Sequence, residues 1–172
     1  MKKQSKRVTE ISDQHYIIFP HDLNSQDKMF GGMLVGVMDK IAGCVFALHN
    51  ENQPFGTKYI DGMPFEVVVH KGDILLLDAA INRVWETSCE IGVRARVRRS
   101  ETGVIQNLSY TYFTFVAIQE TDEIDPNTHK PKVVAVPIKY DVQPETQEQR
   151  RRWREAGARR RRNLKNQKNK KS

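Results

Sequence analysis

The stretch GGMLVGVMDKIAGCVFALHN, residues 31–50, constrains the architecture of this chain more than any other. Its only charged side chains are those of Asp39 and Lys40, so the helix that it predicts is apolar on almost every side. Such a helix has to be buried over most of its surface. We therefore expect it to lie at the centre of the fold, with the rest of the chain packed around it.

The segments on both sides of this helix predict strands. In residues 88–98, apolar and polar side chains alternate with the period of a half-buried strand. The predicted strands are residues 8–19, 57–69, 74–86, 88–98 and 104–118, with a short piece at 133–136. Because the turns between the later strands are short, neighbouring strands should run antiparallel. One buried helix beside one sheet indicates an α+β fold in which the sheet curls round the helix.

The net charge of +7 is concentrated at the C-terminal end of the chain. Residues 150–172 hold twelve Lys or Arg and one acidic residue, whereas the preceding residues carry a net charge of −4. We predict a globular domain at residues 1–140 and a basic, partly helical or disordered tail at 141–172. Since the tail has no apolar stripe, its helix should be exposed or frayed, with roughly the last eight residues disordered.

The basic tail has two interpretations. Its charge could attract RNA, ribosomes or acidic lipid without sequence specificity. It could also be a solubilising tail, or a segment that docks on a neighbouring subunit, and this simpler interpretation is favoured. Weak nucleic-acid contact through the tail is kept as a prediction.

Several classes of protein are not expected from this composition. No stretch approaches the roughly 20 apolar residues that span a bilayer, so we expect no membrane span. The N-terminus has the charges of a signal peptide without an apolar core, which predicts a cytoplasmic protein. Cys44 and Cys89 form neither a disulfide framework nor a zinc set, and the five histidines lack ligand spacing. We therefore expect no metal site and no cofactor.

Small residues line one side of the central helix. Positions three, four and seven apart share a face, which places Gly32, Gly36, Asp39, Gly43 and Ala47 on one line. Close packing against a strand or a partner helix explains this line best, and a slot for a thin ligand passing the carboxylate is the alternative. The carboxylate itself either serves a function or simply reaches a backbone donor or solvent.

Gly31 and Gly32 open the same helix, where amide groups lack intrahelical acceptors and the helix dipole is positive. They predict either a site for a carbonyl oxygen or an ordinary glycine start of a helix. Eight residues separate Gly31 from Asp39, which is about 12 Å along a helix axis. If both act on one substrate, the carboxylate has to come from another subunit, and a homodimer is then required.

The run from Asn24 through Phe30-Gly31-Gly32 to Met38-Asp39 resembles the acyl-CoA thioesterases of the hotdog superfamily. Those enzymes have Asn, five residues, Phe-Gly-Gly and then Met-Asp or Ile-Asp at this spacing. The resemblance extends over residues 8–140, and its further matches are Thr57, Phe65, His70-Lys71-Gly72-Asp73, Thr87-Ser88 and residues 113–117. Asp27 stands where the family usually has Gly, which predicts a differently shaped loop before the helix, and Val68 stands where it usually has Pro.

The resemblance implies a hotdog fold, hydrolysis of acyl-CoA, and dimers with two sites at the interface, often assembled as trimers of dimers. It implies that Asp39 acts as general base or nucleophile, that Asn24 orients the water or the carbonyl, and that Thr57 helps to position the water. Amides near Gly31 and Gly32 would hold the thioester oxygen. The predicted substrate-binding residues are Phe30, Gly31, Gly32, Thr87, Ser88 and Arg96.

The role of Arg96 rests on a basic stripe that it forms with Arg94 and Arg98 on one strand face. The stripe either contacts the phosphates of coenzyme A or is a solvated face of the sheet. A non-catalytic acyl-CoA-binding or RNA-binding hotdog protein, acting through its tail, is the alternative to an enzyme. A dehydratase on the same fold lacks the histidine that it would need at the helix start.

Overall fold

The computed structural model describes residues 7–169, without the side chains of 167–169. Within that range the chain forms six strands, two α-helices and a short 3-10 helix at Pro20–Asp22. The strands are β1 (Glu10–Ile17), β2 (Phe55–Ile60), β3 (Ile74–Val84), β4 (Ser88–Arg98), β5 (Ile105–Ile124) and β6 (Pro131–Ala135). The helices are α1 (Gly31–His49) and α2 (Gln147–Asn169).

All strand pairs are antiparallel, in the order β1-β3-β4-β5-β2, and β6 pairs with the end of β5. The predicted α+β architecture of an antiparallel sheet around an apolar helix is therefore confirmed. The face of β4 that packs on α1 is fully buried at Cys89, Ile91 and Val93. Alternate residues of β4, such as Glu90, point to the opposite side, called here the outer face.

Helix α1 packs on the sheet with a row of buried side chains that includes Leu34, Met38 and Phe46. By length and composition α1 could cross a membrane, since it has 19 residues and an 18-residue window within it has a mean hydropathy of 1.6. The expectation that no stretch approaches the roughly 20 apolar residues of a membrane span is therefore wrong. One side of α1 packs on the sheet, but only 33% of that window is buried within the protomer, so the expectation that most of its surface is buried is not met there.

The line of small residues on α1 is covered along only part of its length. At Gly43 a side chain would meet the Phe55 ring at 3.2 Å, which is the close packing against a strand expected from the sequence. At Gly36, apart from the adjacent residues and nearby backbone of α1 itself, no described atom lies within 4 Å of the position that a Cβ would take. This middle part of the line is therefore open within the described part of the protomer.

The predicted strand 57–69 is wrong beyond residue 60. The chain leaves the strand at Asp61 because Gly62 and Pro64 interrupt it, and Pro64 has no amide hydrogen to donate. Two hydroxyls of β5 take over its bonding: the Ser109 hydroxyl donates to the Pro64 carbonyl (2.6 Å), and the Thr111 hydroxyl to the Asp61 carbonyl (3.1 Å). Strand β5 also extends further than predicted, because it forms a hairpin with β6.

The expectation of an exposed or frayed tail helix is also wrong. Helix α2 lies on the outer face of the sheet, and Ala156 is fully buried there. Arg159 donates two hydrogen bonds to the Glu90 carboxylate (3.0 and 2.7 Å), which also accepts one from Asn82 (2.9 Å). Residues 165–169 are helical rather than disordered, and 170–172 lie outside the described residues. The division of the chain at residue 140 stays a prediction.

Aromatic rings of the sheet hold α2 as well. The Arg159 guanidinium lies 3.4 Å from the centre of the Tyr112 ring, and that of Arg160 lies 4.4 Å from the Trp85 ring. From the opposite direction, Arg83 of β3 lies 3.5 Å from the ring of Trp153. Guanidinium groups stack well on aromatic faces, so a helix without an apolar stripe still has a specific docking surface.

Replacing Arg159 with Ala should destabilise the protein strongly. The side chains of Arg159 and Glu90 are 11% and 3% exposed, so the change leaves the Glu90 carboxylate buried without its cation. We expect the free energy of unfolding to fall by about 3 kcal/mol. Arg154→Ala, at an exposed position of α2, should change it by less than about 0.5 kcal/mol. Urea unfolding at one fixed protein concentration measures both, and equal losses would contradict the role given to the ion pair.

His49, at the last position of α1, joins both ends of the domain. Its ring is 1% exposed, with Nδ1 3.1 Å from the Val8 carbonyl oxygen and Nε2 3.3 Å from that of Tyr140. Burial lowers the pKa of His49, although the two carbonyl contacts oppose it. The neutral ring is therefore favoured in the folded state.

The lowered pKa predicts a pH dependence of stability. The unfolded chain, in which His49 titrates near its ordinary pKa of about 6.5, binds more protons than the folded one below that pH. The contribution of His49 is thus fully present above about pH 6.5 and is lost as pH falls towards the folded pKa. Urea unfolding between about pH 7.5 and pH 5.5 should show a smaller loss in His49→Gln than in the wild type. His15→Gln, at an exposed position, serves as control, and equal losses in all three proteins would refute the prediction.

Candidate active site

Asp39 and Thr57 are brought together by the packing of α1 on β2. The Thr57 hydroxyl donates a hydrogen bond of 2.9 Å to Oδ1 of Asp39. Asp39 is half-buried, and no ion pair to its carboxylate occurs within residues 7–169. The partner of the carboxylate is thus a neutral side-chain hydroxyl. It is not a cation, and solvent or backbone donors are not its only contacts. A half-buried carboxylate with a single neutral donor remains able to accept a proton from water.

Asn24 lies in the loop before α1, and half of its amide group is used to shape that loop. Its Oδ1 accepts hydrogen bonds from the amides of Gln26 (2.8 Å) and Lys28 (3.2 Å). The Nδ2 group makes no hydrogen bond to any other residue of the described chain, so it remains a donor for a ligand or a water molecule.

Asp27 has a φ angle of 54°, in the left-handed region that glycine adopts at little cost. Aspartate tolerates this region better than most residues do. Asp27 therefore adopts the backbone conformation that a glycine at this position would allow. Its presence in place of glycine gives no reason to expect a differently shaped loop.

The start of α1 presents two amides. The amides of Met33 and Leu34 donate to the carbonyl oxygen of Phe30, at 2.9 and 3.3 Å. Those of Gly31 and Gly32, which precede them, have no acceptor within the helix. The positive end of the helix dipole and two such donors suit an oxygen that gains negative charge.

Two aromatic rings flank these amides. A Cβ at Gly31 would lie 3.2 Å from the Phe65 ring, and one at Gly32 would lie 2.7 Å from the Phe30 ring. Both rings are half-exposed, and glycine allows them to approach the backbone this closely. The sequence gives Phe65 no site role, although an exposed aromatic residue directly after Pro64 is a signal that could have indicated one.

Ser88 and Arg96 lie on the outer face of the sheet, away from Asp39 and Thr57. The Ser88 hydroxyl accepts a hydrogen bond of 2.7 Å from Arg160, in a cleft between the sheet and α2 that Thr87 also lines. The Arg96 guanidinium pairs with Asp78 and Asp13, both at 3.1 Å. Within one protomer, the structure therefore does not bring Thr87, Ser88 and Arg96 together with the carboxylate of Asp39.

The stripe that contains Arg96 is largely neutralised by carboxylates. Arg94 also pairs with Asp78, at 2.9 Å. Partial burial opposes ionisation of Asp78, but the Asp13 amide and the two guanidinium groups hold the pKa of its carboxyl below the usual range. Among the described residues, no group of three or more His, Cys, Asp or Glu is placed to hold a metal ion.

Comparisons with known proteins give a consistent result. A family model described as the thioesterase superfamily matches residues 27–104. A Zymomonas mobilis protein, named as an uncharacterized acyl-CoA thioester hydrolase, is 39% identical over 105 residues, which are 60% of this chain and 69% of that protein. A solved apo-hexameric acyl-CoA thioesterase is 28% identical with a TM-score of 0.73, over 92% of this chain and 93% of the other.

The acyl-CoA hydrolase of Staphylococcus aureus, solved with butyryl coenzyme A, coenzyme A and coenzyme A disulfide, is 26% identical with a TM-score of 0.73. The match covers 95% of this chain and 92% of that one. That hydrolase has also been solved as separate alanine variants of an aspartate, an asparagine and a threonine. Its asparagine precedes its aspartate by fifteen positions, as Asn24 precedes Asp39 here.

Proposed function

The chain belongs to the thioesterase superfamily and is an acyl-CoA thioesterase, and we propose that Asp39 drives its reaction at a site shared between two protomers. The products are free fatty acid and coenzyme A. The observation that carries this proposal is the hydrogen bond from the Thr57 hydroxyl to a carboxylate without a cation. That arrangement fixes the orientation of the Asp39 side chain while leaving its second oxygen for a water molecule.

In the proposed reaction, Asp39 takes a proton from a water molecule whose oxygen attacks the thioester carbon. Thr57 holds the carboxylate and helps to position this water. The carbon–sulfur bond then breaks, and the thiolate of coenzyme A leaves and takes up a proton. The same geometry also serves direct attack by the carboxylate, which would form a covalent acyl-enzyme.

The negative charge that develops on the thioester oxygen requires donors. The amides of Gly31 and Gly32 fit this role, and the Nδ2 group of Asn24 is a further donor on the same loop–helix connection. Phe30 and Phe65 flank the amides with apolar surface, which excludes water and strengthens these hydrogen bonds. The aromatic rings also suit contact with an acyl chain.

The carboxylate and the amides that serve one thioester come from different protomers in this proposal. Gly31 and Asp39 are separated by about 12 Å along one helix, too far for a shared reacting group. The open middle of the small-residue line, at Gly36, supports close approach by a second copy. We propose a homodimer as the catalytic unit and a trimer of dimers as the assembly, which the hexameric state of a related thioesterase supports.

Other roles stay predictions. Substrate contact by Thr87, Ser88 and Arg96 requires coenzyme A to reach the outer face of this protomer or of a neighbouring one. Weak nucleic-acid contact would use the arginines on the exposed side of α2, such as Arg150, Arg154 and Arg161. A cytoplasmic location is likewise proposed from the sequence.

Replacing Asp39 with Asn tests the proposal. The amide keeps the shape of the side chain but cannot accept the proton from water, so kcat should fall by about 100-fold or more with little change in KM. Asp122→Asn, the same change on the exposed β5–β6 hairpin, should leave both parameters unchanged. The assay is release of free thiol from acyl-CoAs of increasing chain length. Full activity of Asp39→Asn, or no turnover of any acyl-CoA by the wild type, would refute the proposal.

A further inference from the structure

We propose that α2 clamps the edge of the sheet that carries Thr57, and that Asn163 is a positioning residue acting on Thr57 through Asp61. This inference rests on the proposed function, because it takes the contact between Thr57 and Asp39 as catalytic. It gives the basic tail a part in the reaction, although neither Asn163 nor Asp61 touches the substrate.

Strand β2 has little support of its own. It is an edge strand, bonded only to β5 within the sheet. Its ladder is interrupted next to the site, since Thr57 pairs with Phe115 but Tyr59 already pairs with Thr114. The strand ends at Ile60, so the hydroxyl of Thr57 is held by a short and irregular element. Such an element moves easily unless its end is fixed.

Asp61 fixes that end. Its amide donates to the Tyr112 carbonyl (3.0 Å), and its own carbonyl accepts from the Thr111 hydroxyl (3.1 Å). Its carboxylate points under α2, where it is only 9% exposed and accepts a hydrogen bond of 3.2 Å from Asn163 Nδ2. The Arg162 guanidinium lies 3.7 Å from the same carboxylate oxygen.

The burial of this carboxylate makes the contact with α2 important. Oδ2 of Asp61 is buried and has no hydrogen-bond partner in the described chain, so Oδ1 makes the polar contacts that stabilise the charge. Removing a donor from a buried carboxylate costs more than removing one from an exposed group. Without Asn163, the end of β2 is expected to shift so that Asp61 reaches water.

Next to Thr57, helix α2 faces β2 across a cleft, so the contact that links the helix to this strand is the one between Asn163 and Asp61. A cleft of about 110 Å³ separates the sheet from α2, with Lys58 and Tyr59 on one side and Arg160 and Leu164 on the other. Helix α2 is itself anchored by the buried pair between Arg159 and Glu90. A continuous set of contacts therefore runs from the core of the sheet through α2 and Asp61 to β2.

The consequence is a defined kinetic effect. Thr57 and Asp39 meet at 2.9 Å, and a small displacement of β2 would lengthen this contact. Misplacement of a catalytic group by about 1 Å can cost about 100-fold in rate. Since β5 still holds β2, we expect Asn163→Ala to lower kcat by about tenfold and to change KM by less than about twofold.

The experiment measures Asn163→Ala beside Asn166→Ala, the same change at an exposed position of the same helix. Both changes are made in the wild type and in Thr57→Ala, with thiol release and thermal unfolding followed for each protein. If Asn163 acts through Thr57, its tenfold effect should shrink to less than about twofold in the Thr57→Ala background. Asn166→Ala should have no effect in either background.

Two results would overturn the inference. One is an unchanged kcat in Asn163→Ala, and the other is the same fold loss with and without Thr57, which is typical of a purely structural role. Asn163→Gln provides a second variant, because it keeps the donor on a longer side chain and should restore part of the lost kcat. The proposed function is judged separately: it survives if Asn163→Ala is fully active while Asp39→Asn is not.

Discussion

The rigid rise of α1 is the constraint on which the proposed active site depends. One helix carries both the glycine pair at its start and the carboxylate in its third turn, and hydrogen bonds along the helix keep the two about 12 Å apart. No loop movement can close this distance within one protomer. A second copy of the same helix can supply the missing half, and the small residues along α1 allow two backbones to approach closely. In the proposed mechanism, homo-oligomerisation is therefore part of the chemistry.

The docking of α2 shows how a strongly basic segment can belong to a folded core. Its contact face contains Trp153, Ala156 and Arg159, and only the first two of these are apolar. The charge of Arg159 is compensated by Glu90, and the stems of arginine side chains cover apolar surface while their heads stack on aromatic rings. The exposed side of the helix keeps the remaining charge in water. The tail therefore combines a structural face with a solvated one.

Much of the fold follows from local patterns, whereas the contacts of the tail do not. The apolar run of α1 and the alternation in β4 identify their elements because each pattern reports burial directly. Asp39 and Thr57 are identified through the family resemblance, and the structure places them in contact. The break after Ile60 has a local signal in Gly62 and Pro64, whereas the docking of α2 depends on Glu90, which lies 69 positions before Arg159. Such pairings leave no periodic signal, so a helix without an apolar stripe is interpreted as exposed.

Mixing two impaired variants tests most directly whether the site spans two chains. Asn24→Ala and Asp39→Ala are unfolded together and refolded, so that mixed dimers form beside the two parent dimers. In a mixed dimer, one shared site carries both changes and the other carries neither. The shared-site arrangement predicts that thiol release recovers to about one quarter of the wild-type rate at equal amounts of the two variants. No recovery at any mixing ratio, in samples that still contain mixed oligomers, would contradict it.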